Sequence, residues 1–187
     1  MRKMAVVFPG IGYTKDRPLL YYAGKQAVAC GYELIHVNFT GLKWTKEKLK
    51  DHDFMVETLD KCLSMTEETL AGIGDMTGDN VVFISKSIGT VVATAYAEKR
   101  SINAKQICFS PLEQIEPYIR EKSGILFYGD NDPLADYRAI EDIAHKKALD
   151  MYRISGGNHS LETGDPCKDI ENLKPIIVRI KEMLYDI

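Results

Sequence analysis

The sequence has no apolar run approaching the roughly 18 residues of a membrane-spanning helix, no block of basic charge, and no closely spaced cysteine pair. The first absence argues against an integral membrane helix. The second matters because 24 Lys and Arg are spread along the chain against 27 Asp and Glu, for a net charge of -3. Polyanion binders concentrate positive charge on one face, so no nucleic-acid partner and no membrane contact are expected. The third concerns Cys30, Cys62, Cys108 and Cys167, whose separations match neither a C-x-x-C motif nor zinc-ligand spacing. Four free thiols, no metal and a reducing, cytoplasmic setting are the expectation. The start MRKMAVVFPG is basic, but its apolar run is too short for a secretory leader.

A chain of 187 residues is the size of one domain, here 1–187, and can bury roughly 70% of its extended surface. Short apolar runs at 4–8, 33–37, 81–85, 106–109, 125–128 and 148–154 read as strands, several rich in Val and Ile on both faces, as a buried parallel sheet requires. Between them, helical patterns span 19–30, 53–71, 88–99, 136–147 and 167–184, with a short helical turn near 113–118. Gly31 is placed to end the first helix. Asp165 and Pro166 are placed to start the last, as N-cap and first helical residue. The alternation predicts βαβ units and an α/β three-layer sandwich around a mainly parallel six-stranded sheet. The least regular stretches are 38–51, 72–80 and 155–165. The first carries Phe39, Leu42 and Trp44 in polar surroundings, as part of a pocket cover or as scaffold packing.

Ligands of such sheets gather beyond the carboxyl ends of the strands, so the polar residues that follow strands carry the functional reading. In VVFISKSIGTVVATAYAEK, residues 81–99, Ser87 stands between a strand-like run and a helix-like one. A sharp strand-to-helix turn holds a side chain above the sheet beside free helix N–H groups; the competing role is a helix cap. Asp132 follows the fifth run in YGDNDP, where a carboxylate can orient a histidine or simply build a turn; Asp130 competes with it. His159 follows the last run in SGGNHSL, whose glycines permit a tight path back over the sheet. His36, His52 and His145 sit within or at the start of elements and suit packing or surface roles. Lys86 and Lys15 either attract an anionic substrate group or are solvated charges.

The order Ser87, Asp132, His159 and the segments FPGIG (8–12), SKSIG (85–89), YGDNDP (128–133) and SGGNHSL (155–161) resemble the α/β-hydrolase superfamily, in particular its small members without a cap domain. The resemblance implies a sheet in the order 2-1-3-4-5-6 and a catalytic triad of Ser87 as nucleophile, His159 as general base and Asp132 as orienting acid. Asp132 is preferred to Asp130 because the family places its acid three residues after the glycine ending the strand, here Gly129. It further implies an oxyanion hole from the backbone N–H groups of Ile11 and Ile88, with Gly12 as the alternative first donor. Gly10, Gly12 and Gly89 support the turns, the first two in a role that an ordinary tight turn also explains. Ser85 stands where the family has glycine, and Pro9 where it often has histidine.

The implied activity is hydrolysis of a small or modest carboxylic ester or thioester through an acyl-enzyme, with no cofactor and no metal. An acyltransferase using the same triad and a non-catalytic binding protein on the same scaffold are the alternatives. A flavodoxin-like nucleotide binder is disfavoured because PGIGYTKD is neither a P-loop nor G-x-G-x-x-G. Without a cap the pocket is expected to be open, walled by the loops after strands 1, 2 and 4, including Tyr13, Phe39, Trp44, Pro111 and Leu112. No contiguous apolar feature selects a surface for self-association.

Overall fold

In the computed structural model, residues 1–42, 48 and 51–185 are described. The strands are β1 (Lys3–Phe8), β2 (Glu33–His36), β3 (Asn80–Lys86), β4 (Lys105–Phe109), β5 (Gly124–Gly129) and β6 (Asp150–Ile154). The helices are α1 (Pro18–Ala29), α2 (His52–Leu70), α3 (Ile88–Lys99), α4 (Tyr137–Lys146) and α5 (Pro166–Tyr185), with 3-10 turns at Ala71–Ile73 and Glu113–Ile115.

The apolar runs become central strands because both of their faces are covered. Ala5, Val7, Val82, Ile84, Ile107, Phe109, Ile125 and Phe127 pack against Leu19, Leu20 and Ala23 of α1 and Ile176, Ile180 and Leu184 of α5. The alternate residues Met4, Val6, Phe8, Val81 and Phe83 pack against Val92, Ala93 and Tyr96 of α3 and Cys62 and Leu70 of α2. Cys108, Leu126 and Tyr128 meet Ile140, Ile143 and Ala144 of α4. Successive residues of a strand point to opposite faces, so a continuous apolar run feeds two cores at once. Each large side chain buried this way contributes about 1.5–3 kcal/mol.

The strands form one parallel sheet in the order β2-β1-β3-β4-β5-β6, the order that the resemblance implies. From β1 the chain moves outward to β2, then returns past β1 to β3 and continues in the other direction. That reversal opens a crevice above the carboxyl ends of β1 and β3, where Phe8 pairs with Ser85.

The helix boundaries follow their caps. Pro18 opens α1, and Gly31, at φ 85°, follows its end. Asp51 accepts the Phe54 N–H at the start of α2, Asp136 the Arg138 N–H at α4, and Asp165 the Cys167 N–H at α5. Among the described residues no helix is long and apolar enough to cross a membrane.

Candidate active site

Ser87 is the single residue between β3 and α3. Its φ of 56° and ψ of -127° lie where non-glycine residues are strained, and hydrogen bonds hold it there. Its N–H donates to the Phe109 carbonyl at 3.0 Å, while the N–H and hydroxyl of Thr90 both donate to the Ser87 carbonyl, at 2.8 and 2.6 Å. The hydroxyl of Ser87 makes no cap to α3, which leaves it for other chemistry.

The small residues around the turn have separate reasons. A Cβ on Gly89 would lie 2.4 Å from the Pro9 carbonyl oxygen, so only glycine lets α3 start this close to β1. Ser85 stands where the related pattern has glycine, and the space beside it is supplied by β4: its hydroxyl donates to the Ile107 carbonyl at 3.3 Å and lies beside the Cys108 thiol. A satisfied hydroxyl is compatible with a buried position.

His159 reaches this turn from the loop after β6. Its Nε2 lies 2.7 Å from the Ser87 hydroxyl and its Nδ1 2.7 Å from Oδ2 of Asp132. The Asp132 side chain is only 3% exposed, and its other oxygen accepts the Leu134 N–H at 2.8 Å. A carboxylate at Nδ1 accepts that proton, so Nε2 faces Ser87 with its lone pair. The histidine loop is itself tied down. Ser110, at the end of β4, donates its hydroxyl to the His159 carbonyl at 2.8 Å, and the Asn158 side chain accepts the N–H groups of Ser160 and Glu162. Gly129 and Gly157 pass so closely that a Cβ on the first would sit 2.0 Å from the second's carbonyl oxygen.

Asp130 has a different duty. One oxygen accepts the Gly156 N–H at 2.6 Å and the other faces Arg153, so it closes the β6 loop and leaves the imidazole to Asp132. His159 is held below its usual pKa, first by burial and then by the charge of Lys86, against the opposing pull of Asp132. The neutral imidazole is the form able to accept a proton from Ser87.

The turn of residues 10–13 after β1 stands on the other side of Ser87. Gly10 and Tyr13 exchange two backbone hydrogen bonds, Gly12 takes φ 74°, and Ile11 sits at the tip. The backbone N–H groups of Ile11 and Ile88 have no acceptor among the described residues, and both residues line the same cavity as Ser87. Gly12 faces a separate cleft with Lys15 and Phe39.

The cavity over Ser87 and His159 measures about 450 Å³ and is bounded by Ile11, Val91, Leu112 and Leu134. Its outer wall comes from the first turns of α2, through Met55, Val56 and Leu59, with Asp51 and Gln114 adding polar groups. Of the five side chains expected to wall the pocket, Leu112 does so. Tyr13 is buried and borders the groove between α1 and α5; Phe39 lines the separate cleft; Pro111 is buried outside the cavity lining; Trp44 lies outside the described residues. The α2 wall was missed because the sequence marks 53–71 as amphipathic without saying which loop its apolar face meets. Its signal was the adjacent pair Met55 and Val56 one turn before Leu59.

Lys86 is the largest departure from the sequence reading. It is neither solvated nor open to a substrate: it is 1% exposed, and its ammonium lies 5.2 Å from the centre of the Tyr13 ring. Burial pushes its pKa down to about 7, against the attraction of Asp132 and Glu162. Lys15 instead pairs with Asp16 at 2.9 Å. Among the described residues no three His, Cys, Asp or Glu side chains gather as a metal site would require.

No protein-family model matches the sequence, and neither does any curated protein. Solved structures do match. A candidate hydrolase of the α/β superfamily from Xanthomonas campestris pv. campestris superposes with a TM-score of 0.72 at 13% identity, over 100% of both chains. Est1E from Butyrivibrio proteoclasticus, solved with ferulic acid bound, gives 0.70 at 15% identity, over 98% of this chain and 88% of that one. An α/β serine hydrolase without a lid from Xanthomonas campestris gives 0.58 at 14% identity, over 94% and 80%. The chain has the α/β-hydrolase fold.

Proposed function

We propose that the protein is a serine hydrolase that cleaves carboxylic esters or thioesters of modest, largely apolar acyl groups through an acyl-enzyme on Ser87. The observation that carries this reading is the continuous chain from the Ser87 hydroxyl through His159 to Asp132, with 2.7 Å at each link, at the floor of the cavity.

His159 Nε2 takes the hydroxyl proton as the Ser87 oxygen attacks the acyl carbonyl, and Asp132 stabilises the imidazolium that forms. The carbonyl oxygen gains negative charge and is met by the Ile11 and Ile88 N–H groups, a service worth about 3–4 kcal/mol for a single donor at such sites. The imidazolium gives its proton to the departing alcohol or thiol. Water then attacks the acyl-enzyme with His159 again as base, releasing the acid and restoring Ser87.

The cavity supports the substrate class. Its volume of about 450 Å³ falls within the range of small-molecule sites, roughly 300–1,000 Å³, and its walls of Ile, Leu, Met and Val suit an apolar acyl group. The ferulic acid held by Est1E is an acid of the kind that ester cleavage releases. A reducing cytoplasm suits the four thiols.

Intact-mass labelling with a fluorophosphonate tests the reading. One adduct on the natural protein, absent in Ser87→Ala, is the expected result; a folded protein that resists probes of every size would overturn it.

A further inference from the structure

We propose that Lys86 is a positioning residue of the Ser87 site, clamping the turn of residues 10–13 that carries the Ile11 N–H and holding a positive charge beside the Asp132–His159 pair. The proposal rests on the serine-hydrolase reading.

The clamp has two ends. A Cβ on Gly10 would come 3.4 Å from Lys86 Cγ, so the start of the turn runs against the stem of the lysine. The end of the turn meets the head, where the ammonium lies 5.2 Å from the centre of the Tyr13 ring, a cation–π arrangement strengthened by exclusion of water. Tyr13 is anchored in turn. Its hydroxyl accepts the Leu19 N–H of α1 at 3.2 Å, and its backbone is paired with Gly10. Ile11 is therefore suspended between two points that Lys86 touches.

A neutral side chain of the same length would fill this space at lower desolvation cost, since an unpaired buried charge is expensive. No carboxylate of the described residues forms an ion pair with Lys86, which leaves the identity of the residue unexplained by packing. Tyr13 stands over its head, and its chain neighbour Ser87 meets His159 at 2.7 Å; the titratable groups linked to it by charge are Asp132 after β5 and His159 and Glu162 after β6. Asp132 draws a proton onto His159, while Lys86, a cation below about pH 7, opposes it across the acid limb. The balance keeps Nε2 free to accept the Ser87 proton while Asp132 still fixes the ring.

The test uses the fluorophosphonate labelling rate of Ser87 against pH, with circular dichroism as a folding check. Lys86→Met should lower the plateau rate about tenfold and move the acid limb upward by about 0.5–1 pH unit, the direction expected when a cation near a histidine is lost. Lys86→Arg should return the limb toward the natural value. Tyr13→Leu, which keeps the charge and removes the ring, should lower the plateau and leave the limb in place. A Lys86→Met protein with an unshifted limb, or an Arg variant that does not restore it, overturns the charge role. A Tyr13→Leu protein with the natural plateau overturns the clamp. Should Lys86→Met fail to fold, Lys86→Gln takes its place, with the His159 titration followed by nitrogen-15 spectra: a titration above that of the natural protein supports the charge role, and an unshifted one overturns it. Absence of any labelling of the natural protein is the distinct failure, that of the hydrolase reading, and the spectra still judge Lys86.

Discussion

The hydroxyl of Ser87 lies 2.7 Å from Nε2 of His159, a residue 72 positions away in the chain. Two parallel-sheet loops bring them together, one after β3 and one after β6, and Asp132 from a third loop completes the line. Because the contact depends on a strained turn and a tied-down loop, its parts respond differently to substitution.

Asp132→Asn should reduce ester hydrolysis by about 10⁴-fold through loss of the correct histidine tautomer, with the fold retained. Asp130→Asn should leave turnover within a few-fold and lower stability by about 1 kcal/mol, because it weakens the bond to the Gly156 N–H and removes the charge that faces Arg153, neither of which touches the imidazole. Rates on p-nitrophenyl acetate together with urea unfolding of both variants check the assignment; equal losses of rate would defeat it.

The depressed pKa of His159 places the acid limb of kcat/KM below pH 6.5. A limb at 7 or higher, measured on the natural protein with a neutral ester, would contradict the electrostatics described for the site.

Lys86 links activity to stability. Its pKa drops on folding from 10.5 to about 7, so between those values the unfolded chain holds a proton that the folded chain releases. Stability from this group therefore falls as pH drops from about 10 to 7, and then stays level. Lys86→Met should unfold at higher denaturant concentration than the natural protein at pH 6–7, with a flatter dependence above, while labelling Ser87 more slowly. Unfolding midpoints from pH 6 to 10 measure this; a less stable Met variant at pH 7 would contradict it.

On the α2 wall, Met55→Trp should fill part of the cavity. We expect kcat/KM on hexanoyl or octanoyl esters to fall at least tenfold more than on acetyl esters, with unfolding changed by less than about 1 kcal/mol, since Met55 is only partly buried. A uniform loss across chain lengths would remove α2 from the acyl site.

Gly89→Ala and Ser85→Gly separate the two small positions of the turn. The first drives a Cβ to 2.4 Å from the Pro9 carbonyl oxygen and should lower stability by about 1–3 kcal/mol or more, with loss of labelling. The second restores the residue of the related pattern and should keep labelling within a few-fold, at a cost of about 1 kcal/mol from strand entropy and the lost bond to the Ile107 carbonyl. Thermal melts and labelling of both variants test the pair.

The sequence by itself determined which segments are strands and which are helices, because apolar periodicity and capping residues are local: Gly31 after α1 and Asp165 before α5 act on their own neighbours, while the last strand starts at Asp150, not at Ala148. It also brought Ser87, Asp132 and His159 into view, since each follows a strand and all strands end on one side of a parallel sheet. Tertiary structure alone decided what faces what. Hydropathy assigns a lysine to solvent, yet Lys86 is buried, with the turn of residues 10–13, from a distant part of the chain, lying against it. Likewise the apolar face of α2 became a cavity wall, and Tyr13 a support beneath the turn. Burial and long-range charge depend on which segments meet in space, and one-dimensional periodicity carries no record of those meetings.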